Sequence, residues 1–294
     1  MPRKFNSTSG ILFDCFNYVF LAFFALITLI PFLYIVGGSL ATDEELIRRA
    51  FFLIPETFSL DAYRYIFSSG TIFKSMGVSV YVTVVGTLVN LLFTVTMAYP
   101  LSRRDLMGRN WLLNMVIFTI LFSGGLIPTY LVVKAVGLLD SLWALILPGA
   151  ISAFNLIIVK NFFQELPAGL EEAARIDGCT EIGVLWRIIL PLSKPVLATF
   201  TLFYAVGHWN DFFQALLYIN SAEKWPLQVL LRQIVMLSQG TIGDMTQLDP
   251  TFVQPPQQSI KMAVIVVATV PILIVYPFLQ KHFAKGVLLG SVKG

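Results

Sequence analysis

The chain has 294 residues, of which 56% are hydrophobic and only 13% charged, with a formal net charge of +3. A soluble domain carries about a quarter charged residues, so too little polar surface is available to cover a water-facing globule, and lipid must be the solvent for much of the chain. The small charge, with no basic run interleaved with aromatics, implies no nucleic-acid partner, and Cys15 and Cys179 can form neither a disulfide scaffold nor a paired metal-ligand spacing.

Crossing a bilayer takes about 20 apolar residues in a helix. Windows without Asp, Glu, Lys or Arg run over Cys15–Thr42, Ser75–Ser102, Asn110–Val133, Ser141–Val159, Pro195–Asn210 (continuing past Asp211 toward Ile219) and Met262–Gln280. They predict an all-α, polytopic membrane protein forming one transmembrane domain over residues 1–294. Its six spans are expected at about 15–40, 76–100, 111–133, 141–160, 195–219 and 261–280. Arg3 and Lys4 precede the first window as in a signal peptide, but the apolar stretch is too long for a cleaved core, and a retained first helix is expected.

With both termini inside, 12 of the 20 Lys and Arg fall on the inner side, and the outer loops are longer in total. This bias favours a cytoplasmic-membrane protein with both termini cytoplasmic. Ser123-Gly124-Gly125 and Pro128 interrupt the third span, and Pro271 and Pro277 the sixth. Such breaks are kinks that aid packing, or hinges that line a pathway. No internal repeat is evident, so an inverted-repeat transporter gains no support.

The predicted inner loop, residues 161–194, carries the most information. Pro167 is placed to open a short helix, because its missing N–H would be unpaired there anyway. Glu171 and Glu172 then fall near the positive end of the helix dipole, and Gly178 can close the helix in a left-handed conformation. Ile182, Leu185, Trp186 and Ile189 follow at i, i+3, i+4, i+7, which predicts a second helix with one apolar stripe. Ala173 and Ala174 have almost no side chain, so a partner surface can come close. The plainer reading of this segment is an interfacial helix that caps the bundle.

Glu172-Ala173-Ala174, then Gly178, then Ile188-Ile189-Leu190-Pro191, fits the pattern E-A-A-x-x-x-G-x9-I-x-L-P at every defined position. It resembles the EAA loop of ABC importer permeases. The phrases Ser123–Tyr130, Trp209–Phe212 and Gly286–Gly294 are similar to the carbohydrate-uptake branch, in particular the maltose importer G subunit and permeases for complex or acidic oligosaccharides of pectin or alginate type. The resemblance implies that Glu171, Glu172, Ala173, Ala174, Asp177 and Gly178 form a coupling helix that docks on an ABC ATPase dimer. It implies that the tail Gly290, Ser291, Val292, Lys293 and Gly294 contacts that ATPase. It also implies that the long outer loop, residues 221–260, reaches an extracytoplasmic solute-binding protein.

In the fifth span, Tyr204, Trp209, Asn210 and Asp211 are candidate substrate-pathway residues. An ionisable group in a span usually faces an interior or cavity, and aromatic faces with amide or carboxylate groups suit sugar recognition. The alternative is an interfacial position, where Trp belongs anyway. His208 alone reads as a hydrogen-bonded packing residue. No G-x-x-x-x-G-K-[ST] phosphate loop occurs, so this chain should be no enzyme and bind no cofactor. ATP and Mg would be used by the partner ATPase, while a second permease completes an alternating-access pathway for a carbohydrate. The rival, an ion-gradient-driven secondary transporter, would want several intramembrane acids and leaves the loop motif unexplained.

Overall fold

The computed structural model describes residues 8–68, 70–238 and 258–291, and among these every regular element is helical apart from an isolated bridge between Ala41 and Phe58. In chain order the helices are α1 Thr8–Ser39, α2 Asp43–Arg48, α3 Asp61–Ser68, α4 Thr71–Ser102, α5 Arg109–Leu121, α6 Leu126–Ala135 and α7 Ala153–Glu165. They continue with α8 Ala168–Ile176, α9 Glu181–Val184, a π-turn Leu185–Ile189, α10 Leu190–Leu192, α11 Lys194–Asn210, α12 Phe213–Tyr218, α13 Leu227–Ser238 and α14 Gln258–Ser291. The stretch 241–254 of the expected outer loop and the tail residues Val292, Lys293 and Gly294 lie outside the described residues.

Contacts divide the chain into two compact units, Met1–Ser69 with Gln233–Thr269, and Gly70–Arg232 with Val270–Gly294. In the first unit, α1 carries a long apolar stretch of which nothing is buried within the chain; its surface is left to lipid or to another subunit. Ala41, Leu46, Phe52 and Met262 form a small core. Gly37 is required there, since a Cβ would stand 2.5 Å from the Leu53 carbonyl oxygen. The Glu45 carboxylate accepts from the backbone N–H groups of Glu56 and Thr57 and from Arg49. These bonds, that of Glu56 first, hold its pKa below the usual carboxylate value against the opposing effect of burial.

In the second unit α4 is the axis against which α7 and α11 pack. Its buried positions include Gly86, Asn90, Thr94 and Ala98, one per turn. Small and weakly polar side chains at that spacing let helix backbones approach closely without a hydrophobic driving force.

Among the described residues, three helices are long and apolar enough to cross a membrane, or up to five if each bent pair is one span. The expected third span is the broken pair α5–α6, bent by 117°, and the break falls at the expected Gly124-Gly125, with Gly125 at φ +86°. The expected fourth span differs more. Leu142–Leu145 is a 3-10 turn, and helix resumes only at Ala153, where the Ser152 hydroxyl accepts from Asn155 N–H. Pro148 cannot donate to a helix and restricts Leu147 before it, so the helical part shifts toward Glu165.

The expected fifth span also divides: α11 ends at Asn210, Asp211 is extended, and α12 follows. The second helix of the expected inner loop is not one regular stripe. Val184, Leu185 and Ile189 are buried, whereas Ile182 and Trp186 are exposed. The π-turn widens the repeat beyond 3.6 residues, so the pattern read at α-helical spacing loses phase.

Candidate functional site

Pro167 stands directly before α8, and the helix closes in a Schellman motif. Gly178 lies at φ +81°, Cys179 N–H donates to Ala174 O at 2.9 Å, and Gly178 N–H donates to Arg175 O at 3.0 Å. The Thr180 hydroxyl then caps α9, accepting from Gly183 N–H at 3.2 Å. This turn folds the two short helices back on each other.

The two faces of α8 differ. Ala174 is buried in a cluster with Val95, Ala98, Val184 and Ile189. Glu171, whose side chain is 12% exposed, forms an ion pair with Arg103, just past the end of α4. Arg103 also donates to the Tyr99 hydroxyl and stacks over that ring, 4.5 Å from its centroid. The Tyr99 hydroxyl donates to Glu181 at 2.9 Å, and Glu181 pairs with Arg175 at 2.7 Å. The opposite face presents Gly169, Glu172, Ala173 and Ile176, all exposed, with Ile176 at 86%. A short helix thus has one side clamped to its own bundle and one apolar-and-acidic side open.

A second candidate site surrounds α11. Tyr204, Gly207, His208 and Asp211 follow at i, i+3, i+4, i+7 and face a polar cavity of about 400 Å³, which Asn90, Gly149, Phe203, Asn210 and Gln214 also line. Its wall is a hydrogen-bonded chain. His208 Nε2 donates to Asn90 Oδ1 at 2.6 Å, and Asn90 Nδ2 donates to Gly149 O at 2.6 Å. A Cβ at Gly86 would lie 2.5 Å from His208 Nε2, so this glycine makes room for the ring. Tyr204 hydrogen bonds to Thr94 at 2.8 Å. Leu202, Ala205, Val206 and Trp209 occupy the other face of α11, along an apolar groove with Val80, Val84, Pro271 and Tyr276.

Residues 80–289 match the family of the binding-protein-dependent transport system inner membrane component. The chain belongs to this family. The permease is 65% identical over 291 residues to Protein LplC of Bacillus subtilis (strain 168), covering 98% of this chain and 97% of that protein. It is 62% identical over 283 residues to the polygalacturonan/rhamnogalacturonan transport system permease protein YtcP of the same organism, covering 96% and 99%. Among solved structures it is similar to a chain of a bacterial ABC transporter involved in the import of the acidic polysaccharide alginate, with TM-score 0.86, 33% identity, and coverage of 96% of this chain and 100% of that one. The permease is therefore a multi-pass membrane component of an ABC transport system, in which the ATPase is a separate subunit.

Of the residues expected to couple to the ATPase, Glu172, Ala173, Asp177 and Gly178 are exposed. Glu171 and Ala174 are not open to a partner: the first is bound to Arg103 and the second packs inward. Of the expected pathway residues, Tyr204, Asn210 and Asp211 line the polar cavity, while Trp209 points to the apolar groove. Gly290 and Ser291 end α14, and the rest of the tail lies outside the described residues. The sequence reading did not single out Arg103, Ile176, Phe203 or Gln214. The signal for Ile176 was present, since it continues the Glu172–Ala173 face by one turn. Nothing local marks Arg103, whose partner is remote in sequence.

Proposed function

We infer that this permease pairs with a second permease to form the alternating-access pathway of a binding-protein-dependent importer, and that its substrate is an oligosaccharide. The chain spans the membrane six times with both termini cytoplasmic, and α8 is the coupling helix. An ABC ATPase dimer, using ATP and Mg, seats on the face formed by Glu172, Ala173 and Ile176. ATP-driven closure of that dimer pulls α8, and Arg103 passes the displacement into α4. A solute-binding protein delivers the sugar from outside against the outer loop, and the tail Gly290–Gly294 reaches the ATPase.

The observation that carries this reading is the two-sided α8: one face is held by an internal ion pair and Ala174, and the other is exposed with an 86% exposed Ile176. Leu170, Ile182 and Trp186 of the same segment are exposed with it, and several exposed apolar side chains together offer a partner a contact surface. The substrate class is supported by relatives whose names specify polygalacturonan/rhamnogalacturonan and arabinooligosaccharides and by the neutral and acidic hydrogen-bonding groups of the cavity.

The test is uptake of labelled oligosaccharide by proteoliposomes holding the purified permease pair and ATPase. Uptake should require ATP on the ATPase side and loaded binding protein, and should persist when an ionophore collapses ion gradients. Uptake that follows an ion gradient without ATP would contradict the proposal and favour a secondary transporter.

A further inference from the structure

We propose that the polar cavity beside α11 is a glycosyl-binding subsite carried by this subunit, and that it accepts an uncharged sugar ring while disfavouring a uronate. The proposal rests on the oligosaccharide-import reading above and specifies what this part of the pathway recognises.

The cavity has the volume and the chemistry for one sugar ring. Its size of about 400 Å³ lies within the range of small-molecule sites. Part of its polar wall is already committed. Asn90 uses its amide oxygen on His208 and its amide nitrogen on Gly149 O, so it is scaffold and not a ligand group. Gln214 Oε1 is buried and has no hydrogen-bond partner among the described residues. That oxygen is closed off from the cavity, so Gln214 is part of its wall and not a ligand group. Other groups are not committed in this way. The Asp211 carboxylate caps the first turn of α12, accepting from Gln214 N–H at 3.2 Å, and a carboxylate has further lone pairs for hydroxyl donors. Phe203, 48% exposed, lines the same cavity and offers an aromatic face to the C–H side of a ring.

The charge of the lining gives the selectivity. Among the described residues no Lys or Arg borders the cavity, and its carboxylate belongs to Asp211. A uronate entering here would bring a second carboxylate close to the first, and like charges repel. A neutral hexose, or a uronate masked as its methyl ester, brings only hydroxyls and an uncharged carbonyl. An acidic substrate would therefore turn its carboxylates away from this subunit or present an unmasked neutral unit to it.

The test uses the whole transporter in nanodiscs without binding protein, so that only the permease pathway is read. Trigalacturonate and its fully methyl-esterified form are titrated at millimolar concentration by saturation-transfer NMR. The wild type should bind the ester about tenfold more tightly than the acid, the ratio for about 1.4 kcal/mol of repulsion. Asp211→Asn keeps an equally good helix cap and should close the gap to within about twofold by raising the affinity for the acid. Equal affinities in the wild type, or an unchanged gap in the variant, would overturn the proposal. So would absence of binding by either probe in a transporter that still imports an oligosaccharide with ATP; in that case the import reading stands and the subsite does not. A transporter that neither binds nor imports any oligosaccharide would remove both.

Discussion

Asp140 shows how much one residue can organise. It sits at φ +58°, a left-handed conformation that Asp tolerates better than most residues. Its carboxylate accepts from the Ser221 hydroxyl at 2.6 Å, from Ser221 N–H at 2.8 Å, from Asn220 N–H at 3.0 Å and from the Lys224 ammonium at 2.9 Å. These bonds, the Ser221 hydroxyl first, hold its pKa well below the usual carboxylate value. A pKa lowered by folding contributes stability that is fully present above the unfolded value, near 4, and is lost as pH falls through the folded one. Asp140→Asn, which keeps the turn but removes the charge, should therefore lower the melting temperature at pH 7, and the difference from wild type should shrink steadily below about pH 4. Melting curves of the detergent-solubilised protein across that range check it; a difference that does not change with pH would contradict it. Single residues were only half legible in the sequence. Ala173 and Ala174 are adjacent and chemically identical, yet one is exposed and the other is buried. The motif gives their spacing; which face of α8 turns inward shows only in contacts remote in sequence, such as that of Glu171 with Arg103, just past the end of α4.

Between elements, the contact that matters most is the clamp of Arg103 on α8 and α9. The Arg103 and Glu171 side chains are 18% and 12% exposed, so the pair is shielded enough for its loss to be felt, unlike an exposed surface pair. Arg103→Gln and Glu171→Gln should each destabilise the permease and weaken the coupling of ATP hydrolysis to transport. Their combination should be less harmful than the sum, with an interaction energy of about 0.5–3 kcal/mol in a double-mutant cycle. Strictly additive effects would show that the two residues do not act together. The elements themselves were legible where a long apolar window stays helical throughout, as in α4 and in α14, which continues past Pro271 and Pro277. They were less so where Pro148 displaces the helix of the fourth window and where a π-turn shifts the stripe after Val184. Periodicity assumes a constant repeat, and both features change the repeat locally.

At the scale of the whole molecule, low charge and high hydrophobicity suffice to place the chain in a membrane, and the match over residues 80–289 gives its family. What a single sequence leaves open is which surfaces other subunits cover. α1, with none of its apolar stretch buried within the chain, and the open face of α8 are such surfaces. The central claim concerns the second. In a permease whose native Cys15 and Cys179 are replaced by Ser, single cysteines are placed at Ala173, Ala174 and Ile176 and crosslinked in the assembled transporter. The account predicts that the cysteines at Ala173 and Ile176 crosslink to the ATPase and that the one at Ala174 does not. Failure of the Ile176 position to crosslink in a complex that still transports, or equal crosslinking from Ala174, would contradict it.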